Sequence, residues 1–150
     1  MSKYGDIRMQ TGPTVKQYGR FHLKVFEVYR GERLIPTNEY QIMLDLGDGN
    51  FENLGLIKAD ESTLPELLSY LRDSQHHEYN QIYRTKHYRD QAVNDEARGR
   101  DQQYLDFLER RYARVDQAIR ELEPDYQPDT TIYAVPQDPS DENKGECRFG

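Results

Sequence analysis

One stretch of the chain carries cationic and aromatic side chains at spacings that could bind an anionic ligand. It spans residues 83–89, and its candidate ligand-binding side chains are Tyr83, Arg84, His87, Tyr88 and Arg89. On a helix, residues four positions apart are neighbours, so Tyr83 would lie above His87 and Arg84 above Tyr88. Guanidinium groups bind phosphate through paired hydrogen bonds, and aromatic rings stack on nucleobases. The pattern suggests a site for a phosphorylated ligand or a nucleotide; the alternative is a solvated helix face.

The other reactive side chains do not stand at the spacings that catalysis or metal binding requires. His76 and His77 are adjacent, so a helix would point them about 100° apart, and the chain has no His-Glu-x-x-His helix site. No serine lies in a Gly-x-Ser-x-Gly turn. Cys147 is the only cysteine, which excludes a disulfide within the chain and a thiolate metal cluster. We therefore predict no catalytic residue, no metal and no cofactor.

The composition limits the class of protein to which the chain can belong. Its 150 residues carry 20 Lys and Arg against 27 Asp and Glu, and this net charge of −7 argues against direct nucleic-acid binding. No apolar run approaches the roughly 20 residues that a membrane-spanning helix needs. The hydrophobic share of 35% predicts a small core. Because the chain has one cysteine and no secretory leader, we expect a cytoplasmic protein.

Charge is distributed unevenly along the chain. Residues 1–33 hold seven basic and three acidic side chains, whereas residues 34–73 hold two basic and eight acidic ones. One explanation is mutual compensation between neighbouring strands of a sheet. The other is a charged docking surface for a partner.

Alternating apolar residues predict an antiparallel sheet of three to four strands over about residues 20–58. Residues 40–46 alternate cleanly, a turn rich in glycine follows at 47–50, and residues 51–58 return as the next strand. In the strand at 20–29 the apolar positions change parity between Val25 and Phe26, which suggests a bulge or burial on both faces. Residues 1–18 are polar and prone to turns, and we expect an arm or a short edge strand there.

Helical patterns occupy about residues 63–123. Thr63 and Glu66 form a capping box, and the leucines that follow predict a short helix that closes one side of the sheet. Farther along, a break at Gly99 with a cap at Asp101 would make a long helical hairpin, and a single bent helix is the alternative. The predicted fold class is α+β, with a small antiparallel sheet, a short helix and a long helical hairpin.

The last helix carries an apolar seam at heptad spacing. Its members are Leu105, Leu108, Tyr112, Val115, Ile119 and Leu122. Such a seam needs a partner, and residues 75–98 supply an imperfect one because Lys86 and Arg89 stand where apolar side chains are required. We therefore interpret the seam as an interface for a second copy of the chain or for another protein.

The C-terminal residues complete the predicted domain organisation. Residues 130–135 form a short apolar run that could add a strand, and residues 136–150 have the acidic, proline-containing composition of a disordered tail. We expect residues 1–135 to form a single α+β domain.

These patterns favour a non-enzymatic module for protein–protein interaction. It would be a small adaptor, or an inhibitor of the kind that viruses and mobile elements encode, and it would act by binding a host protein. The alternative is a protein or enzyme that binds a phosphorylated ligand or a nucleotide through residues 83–89. Nucleotides or phosphate would raise the melting temperature only under that alternative, because a ligand stabilises the state that binds it.

Overall fold

Five antiparallel strands precede two long helices in the computed structural model, which describes residues 6–133. The elements are β1 (Ile7–Tyr18), β2 (Phe21–Arg30), β3 (Arg33–Ile35), β4 (Glu39–Gly47), β5 (Asn50–Lys58), α1 (Leu64–Asp90) and α2 (Asp95–Leu122), with a 3-10 turn at Ala59–Glu61. The strand order is β1-β2-β4-β5, and β3 also pairs with β2. The predicted α+β class with a helical hairpin is confirmed, and the sheet has one strand more than the upper expected number.

The chain divides into two compact units. Among the described residues, the first comprises 6–72 together with Val115–Gln127, and the second comprises Asp73–Arg114 and residues 128–133. The core of the first unit joins the sheet to both helices through Phe21, Leu23, Ile42, Leu44, Leu54, Ile57, Leu67, Leu71, Val115, Ala118, Ile119 and Tyr126. The smaller core of the second unit consists of Ile82, Leu105 and Leu108, with Tyr112 packed against them.

Strands β2, β4 and β5 lie within one residue of their predicted bounds. Phe21 pairs with Leu44, and Leu23 pairs with Ile42, so these apolar residues share the face that packs on the helices. The turn between β4 and β5 has positive φ angles of 94° at Gly47, 56° at Asp48 and 78° at Gly49. Glycine adopts such angles without steric cost, which is why this short connection forms where the sequence predicts it.

The change of parity inside β2 has a different cause from the two that the sequence suggested. The register irregularities lie between Thr11 and Lys16 of β1, whereas β2 pairs with β4 without interruption. Phe21 and Leu23 are buried, but Phe26 and Val28 point to the other face and are only half-buried. The apolar residues at the start of β2 therefore pack in the core, whereas those near its end lie on the opposite, half-buried face of the sheet.

Strand β1 is much longer than the arm or short edge strand that was expected. It pairs with β2 from Ile7 to Tyr18 although it contains Gly12 and Pro13, residue types that favour turns. Both fall in the first register irregularity, between Thr11 and Thr14. Bulges and edge positions tolerate proline because no ladder hydrogen bond is lost there.

Helix α1 begins with the predicted capping box. The Thr63 amide and hydroxyl donate to Glu66 Oε1 at 3.0 and 2.8 Å, and the Glu66 amide is 3.4 Å from Thr63 Oγ1. The hydrogen bond from the Thr63 amide, followed by the one from its hydroxyl, lowers the pKa of Glu66. The ionised carboxylate is thus stabilised at the helix N-terminus, where the helix dipole also favours negative charge.

This lowered pKa predicts a pH-dependent part of the stability. A depressed pKa contributes stability above the unfolded-state value, about 4.3 for glutamate, which disappears as the pH falls through the folded-state value. Glu66→Gln keeps an acceptor oxygen but carries no charge. In urea denaturation, the advantage of wild type over Glu66→Gln is expected to be constant above pH 6 and to shrink through the acid range. Parallel pH profiles for the two proteins would contradict this role.

The predicted short helix that begins at Thr63 and the predicted first helix of the hairpin form one continuous helix, α1. No proline or glycine follows Pro65 within α1, so nothing stops the helix before Asp90. The helix pair turns at residues 91–94, and the side chain of Asn94 caps α2 by accepting from the Ala97 amide at 2.7 Å. Gly99 and Asp101 therefore lie inside α2 rather than at its start. A glycine inside a helix costs only about 1 kcal/mol, which the cap at Asn94 offsets.

The apolar seam of α2 is covered by the chain itself. Leu105 and Leu108 are buried in the core of the second unit, and Val115 and Ile119 are buried in that of the first. Tyr112 and Leu122 are partly buried against the same cores. The seam is thus an internal surface in this structure, and the reason for expecting a second copy to cover it falls away.

Two cations, Lys86 and Arg89, made residues 75–98 an imperfect predicted partner for the seam. Both make polar contacts with α2. Lys86 Nζ lies 3.5 Å from Glu109 Oε2, and Arg89 Nη1 donates to Gln102 Oε1 at 2.9 Å. Each cation therefore meets a polar residue of α2 at the edge of the small core. Complementarity of this kind lets charged side chains flank a buried seam without a desolvated charge.

The described residues after α2 form an irregular strap along α1 rather than a strand. Within the second unit, the Tyr133 amide donates to Asn80 Oδ1 at 2.7 Å, and Asn80 Nδ2 donates to the Thr131 carbonyl at 2.9 Å. His76 Nε2 lies 2.7 Å from the same carbonyl. The predicted strand at 130–135 is thus absent over residues 130–133, and the tail predicted at 136–150 lies outside the described residues.

Candidate interaction surface

At one end of the sheet, apolar side chains lie outside both hydrophobic cores of the described residues. We call the residues 7–11, 26–30 and 33–35 of β1, β2 and β3 the wing. Met9 pairs with Val28, and Val28 pairs with Ile35, so these three side chains form one row across the three strands. Phe26 lies two positions from Val28 on the same face. The wing therefore presents a continuous apolar strip.

None of the wing residues is buried. Met9 is 66% exposed, Ile7 is 52% exposed, and Phe26, Val28 and Ile35 are half-buried. Removing apolar area from water is favourable by roughly 25 cal/mol per Å², so a partner that covered this strip would gain affinity from its burial. Contiguous exposed apolar surface on a small protein marks an interaction site more often than isolated exposed side chains do.

The reverse face of the wing is cationic and aromatic. The Arg8 guanidinium lies 4.7 Å from the centre of the Tyr29 ring, and Tyr29 pairs with the exposed Leu34. Gln10 donates to Glu27 Oε1 at 2.8 Å across the same two strands. Arginine and tyrosine are, with tryptophan, the side chains enriched among residues that contribute most binding energy at protein interfaces.

The face that carries the apolar strip becomes polar nearer the middle of the sheet, where His22 and Lys24 of β2 lie on the same side as Phe26 and Val28. His22 packs edge-on against Phe51 with ring centres 5.0 Å apart, and Lys24 Nζ lies 3.8 Å from the centre of that ring. Thr14 Oγ1 is hydrogen-bonded to His22 Nδ1 at 3.1 Å. These contacts shield Phe51 with polar groups, and the apolar surface is therefore concentrated in the wing.

A second exposed aromatic feature lies on α2 in the other unit. Tyr104 and Phe107 are 46% and 45% exposed, and their rings stack with centres 6.5 Å apart. The Tyr104 hydroxyl accepts from Gln81 Nε2 at 2.7 Å, which fixes one end of the pair. The pair is smaller than the wing and is shielded on one side by Gln81.

The side chains that were predicted to bind an anionic ligand differ in exposure and in their contacts within the second unit. Arg89 contacts Asp90 Oδ1 at 3.0 Å and Gln102 Oε1 at 2.9 Å, so it is engaged within the second unit. Tyr83, Arg84 and Tyr88 are exposed, and the rings of His87 and Tyr88 lie 6.3 Å apart. All five side chains stand on the last turns of α1. Binding of an anionic ligand by these five side chains therefore stays a prediction, and none of them lines the cleft described next.

A cleft of about 400 Å³ opens in the first unit, where the start of α1 lies near the end of α2. Leu64, Leu68 and Tyr126 contribute apolar walls, and its cation, Arg72, donates to the Gln127 carbonyl. Burial, and then the Asp116 carboxylate, raise the pKa of the Tyr126 phenol, which therefore stays protonated. The guanidinium of Arg72 is thus already bonded to a carbonyl of the same unit. Sequence patterns had not indicated this cleft or the wing.

Comparison with protein-family models, with curated proteins and with solved structures finds no match for this chain. Within residues 6–133, neither helix combines the length and the apolar character that crossing a membrane requires. In the same residues, no three His, Cys, Asp or Glu side chains gather as metal ligands would.

Proposed function

We propose that this protein is a non-enzymatic interaction module that docks on another protein through the wing. The observation that carries the proposal is the apolar row of Met9, Val28 and Ile35, which belongs to neither core and is exposed at Met9 and half-buried at the other two residues. A chain with so small a hydrophobic share has few apolar side chains to spare, yet several of them stand outside both cores. Burial against a partner gives these side chains a physical role.

The wing replaces the helical seam as the docking surface. The seam residues Leu105, Leu108 and Ile119 already fill the two cores, so they are occupied when the chain is folded. The wing strip is available in the same state. A homodimer through the seam is therefore not part of the proposal.

An adaptor or an inhibitor fits a module of this kind, because one exposed strip on a small fold can occupy a functional surface of a larger host protein. We extend the proposal to inhibitors of the kind that viruses and mobile elements encode. The single cysteine suits action in a reducing compartment such as the cytoplasm.

The test compares the proteins that are captured from host lysate by wild type and by two variants. Ile7→Ser/Met9→Ser removes apolar side chains from the wing, and Val93→Ser makes the same kind of change at a turn residue that is 91% exposed. Both changes are at exposed positions, where substitutions usually alter stability by less than about 0.5 kcal/mol per site. We expect a protein retained by wild type and Val93→Ser to be lost with Ile7→Ser/Met9→Ser. Equal capture by all three would contradict the proposal.

A further inference from the structure

We propose that the partner binds the wing by strand addition, and that an extended acidic segment of another protein pairs with the outer edge of β1 between Ile7 and Thr11. This inference rests on the proposed function, because it specifies how the wing binds and what it binds. In strand addition, main-chain hydrogen bonds supply affinity and alternate side chains supply selectivity.

The main-chain groups of three β1 residues point away from the sheet. The Gly31 amide donates to the Asp6 carbonyl at 2.8 Å, which makes Asp6 and Gly31 a hydrogen-bonded pair. Hydrogen-bonded and non-hydrogen-bonded pairs alternate along antiparallel strands. Ile7, Met9 and Thr11 therefore occupy the alternate positions, and their N–H and C=O groups face outward.

This edge is open over a defined length. Among residues 6–133, β2 is the only strand that pairs with β1. The straight part ends at Thr11, because Pro13 and the register irregularities interrupt the strand from there to Lys16. Proline and bulges are devices that prevent pairing at a strand edge. The second half of β1 is thus protected, and residues 7–11 remain available for a short added strand.

The positive charge of the open β1 edge favours an acidic partner segment. The open part of β1, residues 7–11, has Arg8 as its one charged side chain and carries no acidic one, although the chain as a whole has a net charge of −7. Arg8 is exposed beside the edge, where it can meet a carboxylate on an incoming strand. A second copy would bring another cationic β1 to this edge, and like charges across paired strands are destabilising. An acidic segment of a different protein is therefore the favoured occupant.

The apolar strip reinforces the same geometry. Met9 projects onto the strip beside Val28, while its main chain faces the edge. An added strand that pairs with residues 7–11 would place its own alternate side chains next to Ile7 and Met9. Main-chain pairing and apolar burial would then occur together, so the edge and the strip form one binding surface.

The test separates the main chain of Met9 from its side chain. Met9→Ala removes the apolar side chain and keeps the outward N–H, whereas Met9→Pro removes both, and edge strands accept proline where the N–H faces solvent. The probe is a labelled synthetic peptide in which valine and threonine alternate with glutamate, measured by fluorescence anisotropy. A peptide with lysine in place of glutamate is the charge control.

We expect the glutamate peptide to bind wild type, and the lysine peptide not to bind. Met9→Pro should weaken binding by about tenfold beyond Met9→Ala, as the loss of one main-chain hydrogen bond implies. In wild type, the peptide should also slow hydrogen exchange at the Met9 and Thr11 amides, a readout that needs no variant to fold.

Three results would overturn strand addition: no binding of the glutamate peptide to wild type, equal binding by Met9→Ala and Met9→Pro, or unchanged exchange at both amides. Equal binding of the lysine peptide would overturn the acidic preference. None of these results alters the capture comparison between wild type and Ile7→Ser/Met9→Ser, which tests the proposed function separately. A partner that is lost with that double variant but does not discriminate Met9→Ala from Met9→Pro would dock on the wing face instead.

Discussion

Replacing Ile119 by alanine is expected to lower the free energy of unfolding by about 2–5 kcal/mol. Ile119 is fully buried in the core that joins the sheet to both helices. Truncation of a buried aliphatic side chain loses its transfer free energy and leaves a cavity that neighbouring side chains fill only partly. The effect should appear in urea denaturation of the isolated protein, at any protein concentration.

Phe107→Ala on the same helix is the matched control. It removes a larger side chain, but Phe107 is exposed, and alanine has a higher helix propensity. We expect a change below about 1 kcal/mol. If the seam instead joined two copies, the unfolding midpoint of wild type would rise with protein concentration. That rise, or equal effects of Ile119→Ala and Phe107→Ala, would contradict an internal seam.

Gly55→Ala is expected to destabilise the protein by about 2–4 kcal/mol, the sum of backbone strain and overpacking. Gly55 has a φ of 131°, a region that other residues rarely adopt. A Cβ at this position would overlap the hydroxyl of Tyr70, which packs on the same core. The sheet and the start of α1 therefore approach each other closely at this point.

A double-mutant cycle separates the two causes. Tyr70→Phe removes the hydroxyl and should recover about 1–2 kcal/mol in the Gly55→Ala background, while the strain remains. Gly31→Ala is the control, because its φ of 61° brings strain but no neighbouring atom of residues 6–133 lies within 4 Å of a Cβ there. It should cost about 1 kcal/mol, with no response to Tyr70→Phe. Additive effects of Gly55→Ala and Tyr70→Phe would contradict the close approach.

The elements that the sequence predicts well are those with local causes. Alternation in β4, the positive φ angles between Gly47 and Gly49, and the capping box of Thr63 and Glu66 each depend on a few neighbouring residues. Periodicity and turn chemistry describe such segments fully. The α+β class follows from them.

Most features that the sequence predicts poorly depend on contacts between distant residues, and the start of α2 depends on a local cap that outweighs a small local cost. Gly99 looks like a helix break, but the Asn94 cap starts α2 earlier. Lys86 looks unsuited to face the seam until Glu109 is placed opposite it. Pro13 argues against a strand unless its register with β2 is known. In each case the partner is far away in the chain, or the cost of the local exception is small.

The proposed docking surface shows the same division. The sequence suggested interaction as the leading function, and we assigned it to the α2 seam because those residues are the most regularly apolar. Regular apolar spacing is also what an internal core requires, so spacing alone could not distinguish the two. The wing emerges only from the pairing of Met9, Val28 and Ile35 across three strands.

The most direct test of the wing is photo-cross-linking in the native host with a photoreactive amino acid at position 9, compared with the same amino acid at position 93. Both positions are exposed, and only the first lies in the wing. We predict a covalent adduct between this chain and a different protein from position 9, and none from position 93. An adduct of two copies of this chain, or the same adducts from both positions, would contradict docking of another protein on the wing.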